Sequence, residues 1–193
     1  MSKAFIIMLL CGVCTLTAQE EQATSPFHHQ IGVAGSLISG MGISYQYIFS
    51  DDYRVKCTGL YYSQTNGFAT FDERNSTDIQ AGMEVQKSLY LAKSIRVFAF
   101  AGVGMLRLTD RTFDVTASLE SNYRTHMYNG GAGVGVELIA IGRVAFNIEV
   151  GGMYYVENRS GEFDSPKHSV YETFSRREVG LGIGGGLGIG YRF

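Results

Sequence analysis

Cysteine is scarce in this 193-residue chain: there are three, and two of them, Cys11 and Cys14, fall within the first eighteen positions. So few cysteines exclude a disulfide scaffold at this length. Proline is scarcer still, at two residues, so the 25 glycines belong to neither a collagen repeat nor a disordered Pro/Gly linker. Charged residues make up 18% of the chain, below the roughly 25% of an ordinary soluble domain. The formal net charge of −2 leaves no basic footprint for nucleic acid. Beyond the first eighteen residues, the longest apolar stretch runs only from Val97 to Leu106, too short for a membrane-spanning helix.

Residues 1–18 form an address. Lys3 supplies a positive start, Ala4 to Leu16 is an apolar stretch, and Thr17-Ala18 is a small-residue cleavage site before Gln19-Glu20-Glu21. That tripartite pattern is a cleavable secretory signal peptide, too short to cross a bilayer. The mature domain is then expected over 19–193, with Cys57 as its lone cysteine and no intramolecular disulfide.

What remains alternates at period two, the strand signal. Ile31, Val33, Gly35 and Leu37 oppose Gly32, Ala34 and Ser36, and Ile43, Tyr45, Tyr47 and Phe49 oppose Ser44, Gln46 and Ile48. Further segments alternate over Tyr53–Tyr61, Ile79–Gln86, Tyr128–Leu138 and Val144–Tyr154. The segment Ile95–Leu108 is apolar on both faces, so its inward side is left open. In the last, Val179, Leu181, Ile183, Leu187, Ile189, Tyr191 and Phe193 oppose Glu178, six glycines and Arg192. Eight segments joined by alternately tight connections and long polar ones (66–77, 109–124, 157–175) describe an antiparallel up-and-down β-barrel. Only the first hairpin, around Ser39-Gly40, is short where a long loop is due.

Three features put the apolar face outside, in a membrane. Six of the glycines between Gly180 and Gly190 occupy one face, where a water-exposed strand would carry Thr, Lys or Glu, and they suit a narrow eight-stranded interior. Tyr53 and Tyr61, Tyr128, Phe146 and Tyr154, and Tyr191 and Phe193 fall at strand ends, as two aromatic girdles would. The chain closes on an apolar row ending Tyr191-Arg192-Phe193. With that ending, the mature chain resembles the small eight-stranded bacterial outer-membrane barrels of the OmpA/OmpX type. The resemblance implies an all-β transmembrane barrel in outer-membrane lipid, with Tyr191 and Phe193 read by the barrel assembly machinery. A single barrel with both termini in the periplasm and the long loops outside is the expected arrangement.

Arg54, Lys56, Glu84, Glu137, Glu149 and Arg192 all fall on the faces expected to line the lumen. Arg or Lys facing lipid at mid-membrane costs roughly 2–4 kcal/mol, so these charges are expected inside, paired at two levels. Arg54, Glu137 and Arg192 lie nearer the tight-turn rim, and Lys56, Glu84 and Glu149 farther from it. The function that follows is a non-enzymatic envelope structural or surface-interaction protein with a plugged polar lumen. A narrow porin-like channel is the alternative, and a lipid-modifying enzyme the third reading. His126-Met127-Tyr128-Asn129 superficially resembles the His-x-Ser-Asn run of an outer-membrane lipid deacylase, but Tyr128 replaces the nucleophilic serine. His168-Ser169 is no better as a dyad, since neighbouring strand residues face apart. His28-His29 lacks further metal ligands, and Gly184-Gly185-Gly186 precedes no helix that would make a phosphate loop. No cofactor or metal is expected. A ligand or surface partner is expected at loops 66–77, 109–124 and 157–175, where Phe68, Phe71, Phe113, Phe163 and Tyr171 intersperse mixed charges.

Overall fold

A computed structural model shows a closed ring of eight antiparallel strands, each bonded to the next in sequence and β8 to β1. The strands are β1 (His29–Ser36), β2 (Gly40–Ile48), β3 (Tyr53–Gly67), β4 (Asp72–Leu91), β5 (Ile95–Asp114), β6 (Leu119–Ala140), β7 (Val144–Ser165) and β8 (Val170–Arg192). The structure describes residues 27–67, 72–92, 94–114, 119–140, 142–165 and 170–193. The signal peptide assigned to 1–18, Phe68, Phe71 and the His168-Ser169 pair lie outside the described residues.

The strands are far from equal. β1 and β2 have eight and nine residues, whereas β6 and β7 have 22 each and β8 has 23. At about 3.4 Å rise and about 40° tilt, the long strands climb nearly 60 Å, roughly 35 Å beyond a ~25 Å apolar band. This corrects the expected loops. Most of 66–77, 109–124 and 157–175 is strand, paired in register from Tyr62↔Asp78 to Gly67↔Glu73, Leu108↔Thr125 to Asp114↔Leu119, and Val156↔Val179 to Ser165↔Val170. These segments hide as loops because both faces meet water, so no apolar stripe marks a buried side. Their support is cross-strand: Arg74 pairs with Asp110, and Arg111 with Glu120, each at 2.5 Å.

The first hairpin departs most from a plain barrel. Its turn, Leu37 to Ser39, folds into the lumen, where Ile38 and Ser39 are fully buried. Ser36 Oγ accepts from the backbone N–H groups of Ile38 and Ser39 at 3.2 and 3.3 Å. Thr58 Oγ1 donates to the Ser39 carbonyl at 2.5 Å, and Asn129 donates to that of Leu37. Ile38 packs with Phe98, Phe100 and Met153 as an apolar septum across the barrel. The inward side of the fifth segment, left open by its sequence, is therefore the one bearing Arg96, Phe98 and Phe100.

Backbone inside so narrow a lumen needs walls without side chains. A Cβ on Gly82 would collide with the Ser39 carbonyl oxygen, and one on Gly184 would lie 2.8 Å from Ile38 Cγ1. A Cβ on Gly102, Gly104 or Gly131 would also come within 3.1–3.2 Å of the turn, and at Gly104 and Gly131 it would in addition crowd the Asn129 side-chain oxygen and the Gly152 carbonyl oxygen. Gly40, at φ +77°, lets the chain leave the turn in a left-handed conformation that side-chain-bearing residues rarely adopt. Substituting Gly82→Ala is expected to lower the unfolding free energy by about 1–3 kcal/mol or more through overpacking. Gly152→Ala, whose Cβ meets nothing within 4 Å, is expected to change it by less than about 0.5 kcal/mol. Urea unfolding of the two variants in lipid checks the difference.

Candidate functional site: a polar lumen inside an apolar wall

Parity sorts the wall into two chemistries. Outward stand Val33, Ile43, Val85, Val103, Val134, Ile148, Leu187 and Ile189, all substantially exposed. Inward stand Arg54, Lys56, Glu84, Gln86, Arg96, Glu137, Glu149 and Arg192, all buried. Water would select the opposite arrangement, because buried charges lose hydration and exposed aliphatic rows gain none. This is the arrangement of a transmembrane β-barrel. Tyr53, Phe146, Tyr191 and Phe193 stand exposed near the short-turn rim, and Tyr61, Tyr128 and Tyr154 farther along their strands. Arg143 donates to the Tyr191 hydroxyl at 2.8 Å, and Phe193 stacks on His29 with centroids 5.6 Å apart.

Glu137 is the centre of the tier nearer the short-turn rim. One carboxylate oxygen, Oε1, receives Arg54 Nη1 at 2.8 Å, stands 3.4 Å from Arg96 Nε, and also bonds Arg192. Arg96 is fully buried and lies 4.3 Å from the Phe98 ring, a cation–π contact that takes the place of water on that side. The other tier centres on Lys56, whose Nζ reaches Glu149 at 2.5 Å and Glu84 at 3.1 Å. Glu84 also accepts from Ser39 Oγ at 2.9 Å, tying the inward turn to the charges. Gln86 joins the tiers, donating to Glu84 at 2.6 Å while its carbonyl accepts from Arg96 and from Gln46 at 2.9 Å.

The glycine face of β8 has its counterpart here. A Cβ on Gly186 would lie 2.8 Å from Glu149 Oε2, and one on Gly188 would collide with the Asn147 side-chain oxygen. Asn147 in turn donates to Glu149 at 2.8 Å. Beside Lys56, the space bounded by Gln30, Ser44, Gln46 and Asn147 measures about 10 Å³, the least that admits one water. The lumen at this level is filled by side chains.

Sequence reasoning missed Arg96 and Gln86 as members of the network. Gln86 lay on a polar face but carries no charge to attract notice. Arg96 opens a segment whose two faces are equally apolar, and the available signal was that a guanidinium in such a segment has only the lumen to turn to. Beyond the two tiers, the extension carries further ion pairs: the Asp110 carboxylate raises the pKa of Arg74, and Glu157 that of Arg159, in each case chiefly by the hydrogen bond. His126 lies on the same strand face as outward Tyr128 and opposite to Glu137, so these two share no site. His29 is engaged by the Tyr45 hydroxyl at 2.7 Å. Among the described residues no three His, Cys, Asp or Glu gather as a metal site.

No protein-family model and no curated protein matches the sequence. Among solved structures, the chain is similar to a major outer membrane protein from Thermus thermophilus, at 12% identity and a TM-score of 0.49, covering 86% of this chain and 99% of that one. It is also similar to Acinetobacter baumannii CarO2, at 10% identity and a TM-score of 0.39, with 89% and 100% covered. For Acinetobacter baumannii CarO the identity is 7% and the TM-score 0.29, with 86% and 98% covered.

The asymmetry of the two tiers gives a sharp expectation. Glu137→Gln leaves three buried guanidiniums without a counter-charge and is expected to cost about 3–5 kcal/mol of stability. Glu84→Gln leaves Lys56 with Glu149 and is expected to cost clearly less. Equal losses in lipid-bilayer unfolding titrations would remove Glu137 from its central place.

Proposed function

We propose that the protein is a closed, non-conducting barrel of the bacterial outer membrane, serving as an envelope structural or surface-interaction protein rather than an enzyme or channel. The observation that carries this reading is the doubly filled lumen. Two ion-pair tiers joined through Gln86 are followed by the Ile38–Phe98–Phe100 septum on the inward turn. An ion would have to break charge-assisted bonds in a dry interior and then pass an apolar layer, each of which costs several kcal/mol.

In this reading 1–18 directs export and is removed, and Tyr191 and Phe193 engage the assembly machinery before settling in the periplasmic girdle. An even strand count puts both termini in the periplasm and the long hairpins outside. Those hairpins are paired sheet, suited to holding a binding surface. Their concave face has a cavity of about 530 Å³ lined by Leu106, Leu108, Tyr123, Glu157, Arg159 and Phe174, mixing apolar and charged contacts. No cofactor or metal enters this reading, and one copy suffices for it.

Planar-bilayer recording of the refolded protein is expected to show a silent membrane once insertion is confirmed independently. Removing the septum by Ile38→Ala with Phe100→Ala is expected to raise conductance only modestly, because the charged tiers remain. Steady, salt-dependent opening of the unaltered protein would instead establish the porin-like channel.

A further inference from the structure

The inward turn leaves a gap in the wall. Pairing of β1 with β8 ends at Ser36↔Gly186, and the Leu37 N–H makes the last bond, to the Gly185 carbonyl at 3.1 Å. Pairing of β2 with β3 ends at Ile43↔Gly59. Beyond these points β8 continues back to Val170 and β3 on to Gly67, with no ladder partner on the facing sides among the described residues. The extension is therefore a six-stranded sheet, β3 to β8, with two edges facing one another. The missing strands are two, and three inter-strand spacings make the gap about 14 Å wide.

Backbone hydrogen bonds fix which groups look into it. Phe193 and Gly185 bond toward β1, whereas the Arg192 N–H bonds toward β7. Antiparallel strands alternate, and the β7–β8 register is unbroken, so the N–H and C=O groups of Tyr171, Thr173, Ser175, Arg177, Val179, Leu181 and Ile183 point into the gap. The Tyr53 carbonyl bonds toward β2, which by the same alternation turns Tyr61, Ser63 and Thr65 toward it from β3. The outward side chains at its foot, Leu181 and Ile183, are 84% and 83% exposed, the highest values among the large apolar residues. Each lacks a neighbour on one side.

We infer that this gap is a strand-addition site, filled by a two-stranded β-hairpin of a different polypeptide that pairs with β8 on one side and β3 on the other. Both edges offer donors and acceptors in alternation, and an extended chain matches both, whereas lipid headgroups supply mainly acceptors. The occupant's outward side chains at the foot of the gap are apolar, beside Leu181 and Ile183, and its inward ones small, beside Gly180 and Gly182. A second copy in the same membrane fits poorly. Its wall would meet this one face to face at about 10 Å, twice the pairing distance of about 4.8 Å. The inference deepens the surface-interaction reading and rests on the extension facing outward.

Amide hydrogen exchange on the full chain in lipid nanodiscs tests it, with a disulfide-closed synthetic β-hairpin of alternating Thr and Val as probe. In the free protein the amides of Thr173, Ser175, Arg177 and Val179 exchange fast, while Phe174, Arg176 and Glu178 are protected by β7. Adding the probe slows the first set by about tenfold or more and leaves the second unchanged. The same probe N-methylated along one edge loses the effect. Edge amides already protected in the free protein, protection that appears with protein concentration alone, no response to the probe, or an equal response to the methylated one would each overturn the inference. None of these outcomes depends on whether the lumen conducts, so this inference and the closed-lumen reading fail separately.

Discussion

An eight-stranded lumen has room for side chains or for backbone, and near its middle this protein has chosen backbone. Once Ile38 and Ser39 occupy the interior, the facing positions on β4, β5, β6 and β8 are held to glycine by contact distance, and Ile38 becomes the piece against which Phe98, Phe100 and Met153 close. The same turn shortens β1 and β2, and their shortness opens the wall above. A filled lumen and a gapped extension are thus two results of one hairpin.

The charges beneath the turn follow a related logic. Three guanidiniums around Glu137 leave the tier nearer the rim net positive, while Lys56 between Glu84 and Glu149 leaves the other net negative. Stacked through Gln86, the tiers attract one another, and in so dry an interior that attraction is weakly screened. Ser39, bonded to Glu84, extends the network into the turn, so charge and backbone plug are parts of one arrangement.

Much of this was legible at period two. The alternation marked eight strands, the outward aliphatic rows and the face on which Arg54, Lys56, Glu84, Glu137, Glu149 and Arg192 stand. It failed at Ile95–Leu108, because Phe98 and Phe100 face an apolar septum inside while Val97 and Val103 face lipid outside, so the two faces look alike. It failed again at 66–77, 109–124 and 157–175, where strands wet on both faces carry no stripe to read. The inward course of the first hairpin was signalled only by its being short where the pattern required length. Nothing local in Leu37-Ile38-Ser39 declares a buried turn; the declaration is spread over Gly82, Gly102, Gly104, Gly131 and Gly184, which only the fold brings together.

The inward turn is tested most directly by a covalent link between it and the wall. A Cβ on Gly102 would lie 3.2 Å from that of Ser39, close to the roughly 3.5–4.5 Å that a disulfide spans. In a background free of other cysteines, the Ser39→Cys/Gly102→Cys protein should cross-link on mild oxidation of the membrane-inserted barrel, read as a mobility shift reversed by reductant. Cysteines that stay free in the inserted barrel would contradict a hairpin inside the lumen, and with it the account of the glycines, the septum and the gap.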